Sequence, residues 1–465
     1  MLSSCAHVAP ECATHGGTPW LELSSEHFVV RTNLAPEEAR GATVQLERAR
    51  ASVLAALPSA LTAPPLEVVV FTSPAQLHDL SGDPLLDGAL THDWKGPLLL
   101  TAHAASFLDV TQLRLMLHQL AHHFSAGALK RWPRWFEEGL AIYLETLVID
   151  PEAKTAVRGR ANQERLDEVM RWGILPVQSL WAWDVEPEQL TGLEQHRAAS
   201  AWFWVHFLFN EHRPALERFM RSLAEGDEPK AAWATAFGDL APQAMAEAAA
   251  AYIARQQTRS QQMDLGQLNT TLTEKPLPDA QVHALLARVA AVTFAWPRAR
   301  TEARAAMALD PKDARAMEQG VVVQETVEAR IAAARVLTTE LPAEASGWLL
   351  LALALPPGDP ERGVALERAV ELEPLSGHAL SELATFRCAE GRCSESLELV
   401  EKAVRLAPGD SRVHAAAAVV SMKAGQCGRA AVSQQRALEV LPHRASAALR
   451  AQLRTRLGEY LKCGR

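Results

Sequence analysis

No run of about 18 or more apolar residues occurs in this sequence, so no segment is long enough to cross a bilayer as a helix. Dense clusters of basic residues are also missing. The chain has 46 Lys and Arg against 55 Asp and Glu, which gives a formal net charge of −9. Because the sequence lacks a long apolar run, we expect no transmembrane span. Because phosphate binding requires a basic surface, we also expect no nucleic-acid partner.

Cysteine is scarce as well. The six cysteines, at positions 5, 12, 388, 393, 427 and 463, are too few for a disulfide scaffold and form no pair of zinc-type CxxC knuckles. Leu2-Ser3-Ser4-Cys5 resembles the lipobox of bacterial lipoproteins, although no charged and apolar signal region precedes it here. We predict that residues 1–19 are a disordered N-terminus. If an upstream start codon was missed, Cys5 is a lipid anchor in the cell envelope; otherwise the chain is cytoplasmic.

The length of 465 residues allows two or three domains, each with its own hydrophobic core. Globular patterning begins at Trp20 and continues to about residue 255, and we predict a first domain over 20–255. The stretch 256–280 is rich in Gln, Thr and Pro and has little periodicity, so it is predicted to be a linker. The patterns in the first domain predict strands at 26–32, 66–71 and 97–101 and a helix from Pro36 to about Leu57.

Two histidines in this domain, His118 and His122, lie four residues apart in a predicted helix. Positions i and i+4 share one helical face, so both imidazoles can bind one metal ion, and this spacing supplies two of the three protein ligands of many catalytic zinc sites. In those sites a glutamate follows the first histidine and acts as general base. Here Gln119 holds that position, and its amide cannot take up a proton.

A second motif, Trp135-Phe136-Glu137-Glu138-Gly139-Leu140-Ala141, begins another predicted helix. Together with the run 118–124 and the sixteen-residue step from His122 to Glu138, it resembles the peptidase MA-like gluzincins, the clan of thermolysin and the zinc aminopeptidases. The resemblance covers residues 20–255. It implies a gluzincin-like metallopeptidase fold, zinc bound by His118, His122 and Glu138, and Gln119 in place of the general base. It implies nothing about a substrate.

Other polar residues near the two motifs are assigned roles of their own. His123 is interpreted as a packing residue or as a residue that contacts a metal ligand, and Glu137 as a solvated carboxylate. Glu145 either orients a ligand or is a surface residue. The resembled family also has a Tyr or His that stabilises the oxyanion; His196 is the first candidate for this role, and His206 is the second but is more typical of a core histidine.

The C-terminal part of the sequence is repetitive. Segments of similar sequence at 369–374, 403–408 and 437–442 are spaced 34 residues apart, and Gly391 and Gly425 repeat at the same interval. This is the tetratricopeptide period, in which helix pairs stack into a solenoid that commonly binds a peptide or protein. We predict an all-α tetratricopeptide-repeat domain over 281–465, with two clear and two or three degenerate repeats. Cys393 and Cys427 occupy equivalent positions and are predicted to be packing cysteines.

The predicted fold class is therefore α+β, with a gluzincin-like domain followed by the repeat solenoid, an architecture found in bacterial relatives of the resembled family. The leading hypothesis is a degenerate zinc metallopeptidase-like protein that binds zinc and peptide with little or no hydrolysis, and whose repeats recruit a protein partner. One alternative is an active or slow zinc peptidase that uses His123 or an acid from residues 153–188 as its base. Another is a zinc-free scaffold that acts through its repeats.

Overall fold

The computed structural model describes residues 17–57, 66–102, 110–131, 133–150, 154–183, 191–255, 259–441 and 445–463. Cys5 and most of the predicted N-terminal segment lie outside these residues. The described part of the chain forms two compact units. The sheet–repeat unit contains the described residues of 17–43, 66–102 and 271–463, and the histidine unit contains those between 44 and 57 and between 110 and 270.

Nine strands occur in the described residues. They are β1 (Leu21–Ser24), β2 (Phe28–Thr32), β3 (Leu66–Phe71), β4 (Gly88–Asp93), β5 (Gly96–Ala102), β6 (Val148–Asp150), β7 (Thr155–Arg158), β8 (Gln261–Asp264) and β9 (Thr273–Pro276). The three predicted strands correspond to β2, β3 and β5, and the nearly continuous burial of β2 and β3 matches their short, mainly apolar sequences.

The helices preceding the repeats number ten in the described residues. They are α1 (Pro36–Leu54), α2 (Pro74–Ser81), α3 (Val110–Ala128), α4 (Arg134–Leu144), α5 (Gln163–Trp172), α6 (Val177–Leu180), α7 (Thr191–Glu211), α8 (Arg213–Glu225), α9 (Pro229–Phe237) and α10 (Pro242–Arg255). The predicted helix from Pro36 is α1, which ends at Leu54 rather than at Leu57. None of the helices in the described ranges combines the length and hydropathy needed to span a membrane.

The repeat helices follow in pairs. They are α11 (Asp279–Val292), α12 (Trp296–Leu309), α13 (Ala314–Val322), α14 (Val327–Glu340), α15 (Ala345–Ala354), α16 (Pro360–Leu372), α17 (Gly377–Ala389), α18 (Cys393–Leu406), α19 (Ser411–Lys423), α20 (Cys427–Glu439) and the final α21 (Ala447–Cys463). The first helices of the last two pairs begin 34 residues apart, and so do the second helices. The predicted tetratricopeptide-type array is confirmed, with five pairs over residues 279–439 where the sequence showed only two clearly.

Small residues let the repeat helices approach closely. A Cβ atom on Gly377 would lie 2.8 Å from the Ala407 Cβ, so only glycine fits at the start of α17. Alanines such as Ala379 and Ala403 are almost fully buried between neighbouring helices. The alanine-rich composition of these helices is therefore a packing requirement, because larger side chains would push the pairs apart.

The prediction that Cys393 and Cys427 are packing cysteines is wrong, because each forms a disulfide. Cys388 is joined to Cys393 by a disulfide, and Cys427 is joined to Cys463. The second bond links α20 to the end of α21, 36 residues later. Sequence spacing could not reveal this pair, because α21 lies beyond the last recognisable repeat and its packing on α20 is a tertiary feature.

The six-stranded sheet of the sheet–repeat unit has the order β4-β5-β3-β2-β1-β9. Strands β2, β3 and β5 are parallel, whereas β4, β1 and β9 pair antiparallel with their neighbours. One face packs on the first repeat helix, since buried side chains of the sheet and of α11 form a single core cluster that includes Trp20, Phe71, Val282, Leu286 and Val289. The N-terminal strands and the repeats therefore share a core.

This arrangement differs from the predicted domains, 20–255 and 281–465. The predicted linker 256–280 contains β8 and β9, which pair in two different sheets: β9 with β1, and β8 with β7. Short polar strands at a sheet edge carry little apolar periodicity, and all four residues of β9 are exposed. The sequence of this stretch consequently resembles a linker, although its two strands each form an edge of a sheet.

The histidine unit is mainly helical, with a small sheet in the order β6-β7-β8. Its interior contains the large aromatic side chains Trp135, Phe136, Trp202, Phe203 and Phe207, all at most 1% exposed. These residues lie on α4 and α7, two helices that pack directly together. A Cβ on Gly139 of α4 would be 2.5 Å from the Ala201 carbonyl oxygen of α7, so the glycine in the second motif permits this close contact.

Candidate metal centre

The two motif histidines lie on α3, one helical turn apart. Leu117, Leu120 and Phe124 of the same helix are buried and anchor it in the histidine unit. The side chains of His118 and His122 are on an adjacent face and remain 19% and 16% exposed. The burial of these three side chains fixes the direction in which the imidazoles project.

The imidazole rings converge on one point. Their Nε2 atoms are 3.0 Å apart, and the rings meet edge to face with centroids 4.6 Å apart. Glu138 of α4 faces the same point, with carboxylate oxygens 3.9 Å from the His118 Nε2 and 4.0 Å from the His122 Nε2. The structure thus brings together His118, His122 and Glu138, with one donor atom of each within 4.8 Å of the others.

These donor atoms fit a zinc ion. In a tetrahedral site with bonds of about 2.0–2.2 Å, neighbouring ligand atoms lie about 3.3–3.6 Å apart. The separations of 3.0, 3.9 and 4.0 Å bracket this range. Two imidazole nitrogens and one carboxylate are also a ligand set that zinc uses in open, three-ligand sites. Small side-chain adjustments would therefore let the three residues hold the ion.

Two further carboxylates hold the far side of each imidazole. Glu145, at the C-terminal end of α4, is 2.8 Å from the His118 Nδ1, and Glu137 is 2.9 Å from the His122 Nδ1. A carboxylate that accepts a hydrogen bond from Nδ1–H fixes the ring orientation and leaves the Nε2 lone pair for a metal. Both candidate histidine ligands, His118 and His122, therefore have the carboxylate contact at Nδ1 that metal-binding histidines usually have.

The interpretation of Glu137 as a solvated carboxylate is wrong, since its side chain is 14% exposed and bound to His122. Of the two alternatives for Glu145, the structure favours the orienting one. Sequence reasoning missed Asn162, whose side-chain amide donates a hydrogen bond to the second Glu145 oxygen at 3.3 Å. Asn162 also caps α5 by accepting a bond from the Arg165 amide, and only this capping role has a sequence signal.

The carboxylates change the proton affinity of His122. Burial lowers the pKa of its imidazole, but the hydrogen bond from its ring to Glu137 and the negative charges of Glu137, Glu138 and Glu145 outweigh this effect and raise the pKa to about 9. In the metal-free chain His122 therefore holds a proton at neutral pH, and a metal ion would have to displace it.

The other predicted residues lie elsewhere. The His196 Nε2 is 2.9 Å from the Gly173 carbonyl oxygen, and its ring packs beside Trp172, so these contacts give it no part in the ligand cluster. His206 is a core histidine, 1% exposed, with its Nε2 3.1 Å from the Gly159 carbonyl oxygen and its Nδ1 2.9 Å from the Tyr252 hydroxyl. Burial lowers the pKa of His206 to about 4, so it is neutral at physiological pH.

Gln119 follows His118 directly on α3, as the sequence requires. Its side-chain amide has no carboxylate oxygen that could accept a proton. His123, the other residue considered as a base, packs its ring against Phe124 with centroids 4.9 Å apart. The ligand set is thus complete, whereas the position next to the first ligand lacks a group able to act as a base.

Comparison with known proteins gives no family assignment: no protein-family model matches the sequence, and no curated protein does. Solved structures with a similar arrangement include TTC0263, a thermophilic tetratricopeptide-repeat (TPR) protein of Thermus thermophilus, with 17% identity, a TM-score of 0.33, and coverage of 39% of this chain and 99% of that one.

YrrB, described as a TPR protein with an unusual peptide-binding site, has 20% identity, a TM-score of 0.27, and coverage of 37% of this chain and 92% of its own. Yeast Tom70 has 12% identity, a TM-score of 0.32, and coverage of 91% and 84% respectively. At TM-scores below 0.5 these similarities decide nothing by themselves, so the repeat fold rests on the helix pairs and their period. The gluzincin resemblance rests on its motif residues alone.

Proposed function

We propose that this chain is a non-hydrolytic interaction protein that combines a tetratricopeptide-type array with a zinc site of metallopeptidase type. The observation that carries the zinc site is the convergence of two imidazole Nε2 atoms whose Nδ1 atoms are each bound by a separate carboxylate. His118, His122 and Glu138 would hold the ion, and Glu145 and Glu137 would orient the two histidines.

Zinc in such a site would act as a Lewis acid toward a peptide carbonyl. Productive hydrolysis also needs a group that moves a proton, and positioned acid–base catalysis is worth about 10²–10⁴-fold in rate. Gln119 cannot supply it. We therefore propose that the site formed by His118, His122 and Glu138 binds peptide, or an equivalent carbonyl ligand, with little or no turnover.

The repeat array supports a second proposal of broader scope. Stacked helix pairs of this kind form extended surfaces that commonly bind peptides and proteins. A scaffold that acts only through its repeats needs nothing beyond the five observed helix pairs, and it therefore has more direct support than any role for the metal. In that case the histidine unit is a zinc-free structural part, and zinc binding distinguishes the two proposals.

The two disulfides support a location in the cell envelope, whichever of the two proposed roles the chain has. Disulfides persist in oxidising compartments and are rare in the cytosol. Cys388–Cys393 and Cys427–Cys463 therefore favour the cell envelope over the cytoplasm. The proposal is tested by counting free thiols in chain isolated under alkylating conditions: no free thiol at these four positions supports it, and four free thiols argue for the cytoplasm.

Zinc titration of the metal-depleted chain, in competition with a chromophoric chelator, tests the metal site. We expect about one ion per chain and a loss of at least about tenfold in affinity for Glu138→Ala, because one of three protein ligands is removed. Glu164→Ala is the matched control, since Glu164 is an exposed carboxylate on α5. Equal affinity for both variants and the wild type would contradict the assigned ligands.

The Gln119→Glu variant tests whether the site is a disabled peptidase. Restoring the carboxylate beside His118 should produce cleavage of a broad peptide library that a chelator abolishes, because the ligands and their orienting carboxylates are in place. Cleavage by the wild type at a comparable rate would show that another residue serves as the base. If the variant binds zinc but cleaves no peptide, the site is not a peptidase site that Gln119 alone has disabled.

A further inference from the structure

The turn between β4 and β5, residues 93–96, lies against the repeat helices rather than in solvent. The last sheet pair of this hairpin is Asp93 with Gly96, so Asp93 ends β4 and only Trp94 and Lys95 lie beyond the paired residues. Their partners are far away in sequence: Arg288 is 195 residues from Asp93, and Arg412 is 319 residues from it. All of these residues belong to the sheet–repeat unit.

Asp93 is held by the first repeat. Its carboxylate oxygens accept hydrogen bonds from the Arg288 Nε at 2.5 Å and from the Arg288 Nη2 at 3.0 Å, a two-point contact on α11. Asp93 is 9% exposed and Arg288 is 6% exposed. One Asp93 oxygen also accepts a bond from the Lys95 amide, which fixes the turn in shape before it meets the helices.

Lys95 and Trp94 contact the middle of the array. The Lys95 Nζ is 2.6 Å from a carboxylate oxygen of Glu318 on α13, and Glu318 is buried. Trp94 packs on the core cluster formed by residues of the second to fourth helix pairs, among them Leu349 and Leu383. The Lys95 ammonium lies 5.0 Å from the Trp94 ring centre, so the turn presents its indole and its cation together.

The fifth helix pair binds the backbone of the turn. The Arg412 Nη2 donates to the Asp93 carbonyl oxygen at 2.6 Å. Asp410, the N-cap residue of α19, holds the same guanidinium through two hydrogen bonds at 3.0 and 2.7 Å and so aims it at the turn. Both ends of the array thus contact the same three-residue segment, and Arg288, Glu318 and Arg412 each lie on the first helix of a pair.

We propose that this face of the array, marked by Arg288, Glu318 and Arg412, is a ligand-binding surface whose ligand is the chain's own β4–β5 turn. An outside partner that presents a carboxylate, an indole and an ammonium on a tight turn would bind there only by displacing this internal ligand. Contacts that span the first to the fifth helix pair are the way in which repeat arrays hold a bound segment. A turn that served only to connect β4 and β5 would need none of them.

The inference refines the role of the repeats and is independent of the metal site. While the turn occupies this face, a partner must bind to another surface of the repeats. A partner that uses this face can bind only after the turn has left it. Because a tethered ligand acts at a high effective concentration, a free competitor binds only to the fraction of molecules in which the turn is out. The wild-type chain should therefore bind such a competitor weakly.

The probe is a fluorescein-labelled peptide of residues 90–98, closed into a ring by a disulfide between cysteines added at its ends. Its binding to the full chain is measured by fluorescence anisotropy without reductant. We expect the Asp93→Ala/Trp94→Ala double variant to bind it at least about tenfold more tightly than the wild type. Adding Arg412→Ala to the double variant should abolish this gain. Leu85→Ala, a change at an 84% exposed position of the same unit, is the control and should behave like the wild type.

Equal binding of the peptide by the wild type and the double variant would overturn the proposal. A double variant that is folded, as shown by cooperative unfolding, but does not bind the peptide at millimolar concentration would overturn it as well. If the double variant does not fold, Lys95→Ala takes its place, because it removes the ion pair with Glu318 and the ammonium beside Trp94 but leaves Asp93 and its contacts with Arg288 and Arg412 intact. Lys95→Ala should then bind the peptide more tightly than the wild type, and unchanged binding would count against the internal ligand.

Discussion

Both units of the chain shelter carboxylates, but they give them different partners. In one cluster of the sheet–repeat unit the partners are mainly guanidinium groups: Glu22 contacts Arg31 and Arg315, Glu67 contacts Arg31 and Arg288, and Asp93 contacts Arg288. Lys275 also contacts Glu22, and elsewhere in the unit the buried Glu302 contacts His283. In the histidine unit the partners of Glu137 and Glu145 are imidazole rings.

The difference has a chemical consequence. A guanidinium stays protonated at every pH that a folded protein meets, so the first cluster keeps its positive charges across that whole range. An imidazole can hold a proton, lose it, or bind a metal ion through the same nitrogen. The second cluster can therefore exchange a proton for a metal ion at its imidazole nitrogens, and the guanidinium groups of the first cluster cannot.

The largest expected effect is on the guanidinium cluster. Arg288→Met should destabilise the sheet–repeat unit by about 3–5 kcal/mol, because it leaves the buried Asp93 without its guanidinium partner and removes one of the two guanidinium partners of Glu67. The free energy of unfolding, measured by denaturant titration, checks this value. Arg335→Ala removes a fully exposed partner of Glu361 and should leave the unfolding curve unchanged. A similar loss in both variants would show that burial does not decide the effect.

The next expected effect separates the two clusters by pH. In the metal-free chain the pKa of His122 is raised to about 9 from 6.5, so its stabilising contribution is complete below about pH 6.5 and is lost as the pH rises through 9. Burial raises the pKa of Glu22, but ion pairs with Lys275 and Arg31 outweigh it and lower that pKa to about 2. The contribution of Glu22 is therefore present above pH 4.5 and is lost only as the pH falls through 2.

Between about pH 6.5 and 9 the titration of His122 should therefore lower the stability of the histidine unit of the metal-free chain, whereas Glu22 contributes no change to the sheet–repeat unit in this range. Hydrogen exchange of α3 and of β2 across this range, with chelator present, measures the two units separately. Zinc should remove the dependence in α3, because the bound ion takes the place of the proton. Equal changes in α3 and β2 would argue against distinct clusters.

A smaller effect concerns the carboxylates that orient the histidines. Glu145→Gln should weaken zinc binding by about 10–100-fold, because the His118 Nδ1–H loses a charged acceptor while all three ligands remain. Chelator competition gives the affinity. Asn162→Ala, which removes only the contact to the second Glu145 oxygen, should have a weaker effect in the same direction. A Glu145→Gln variant with wild-type affinity would mean that ring orientation does not depend on this contact.

The smallest expected effect is at His196. Its ring is engaged by the Gly173 carbonyl and Trp172, so His196→Ala should leave the zinc affinity unchanged within error. The same chelator competition tests this. A clear loss would restore the sequence-based interest in His196 and would require a motion of α7 that brings its N-terminal part to the metal ligands.

Local patterns in the sequence were enough to predict α3, the shared face of His118 and His122, and the 34-residue repeat. Each of these depends on positions only a few residues or one repeat apart. The orienting contacts were not predictable in the same way. Glu137 and Glu145 flank Glu138 on α4, but which of them meets a histidine depends on how α3 and α4 pack, and the sequence contains no measure of that angle.

Long-range pairing explains the other differences. Residues 273–276 pair with β1, about 250 positions earlier, and their polar sequence gives no indication of it. The β4–β5 turn has an ordinary composition for a hairpin, and its contacts with the repeats lie 195 and 319 residues away. Features that depend on tertiary placement thus require the structure, whereas features that depend on helical period do not.

The zinc content of the purified chain, measured by native mass spectrometry beside a His118→Ala control, tests the central claim most directly. The account predicts about one zinc ion per wild-type chain and none in the control, because the convergent Nε2 atoms form the site only together. A wild-type chain that stays metal-free after reconstitution with zinc would contradict it. The repeats alone would then carry the function.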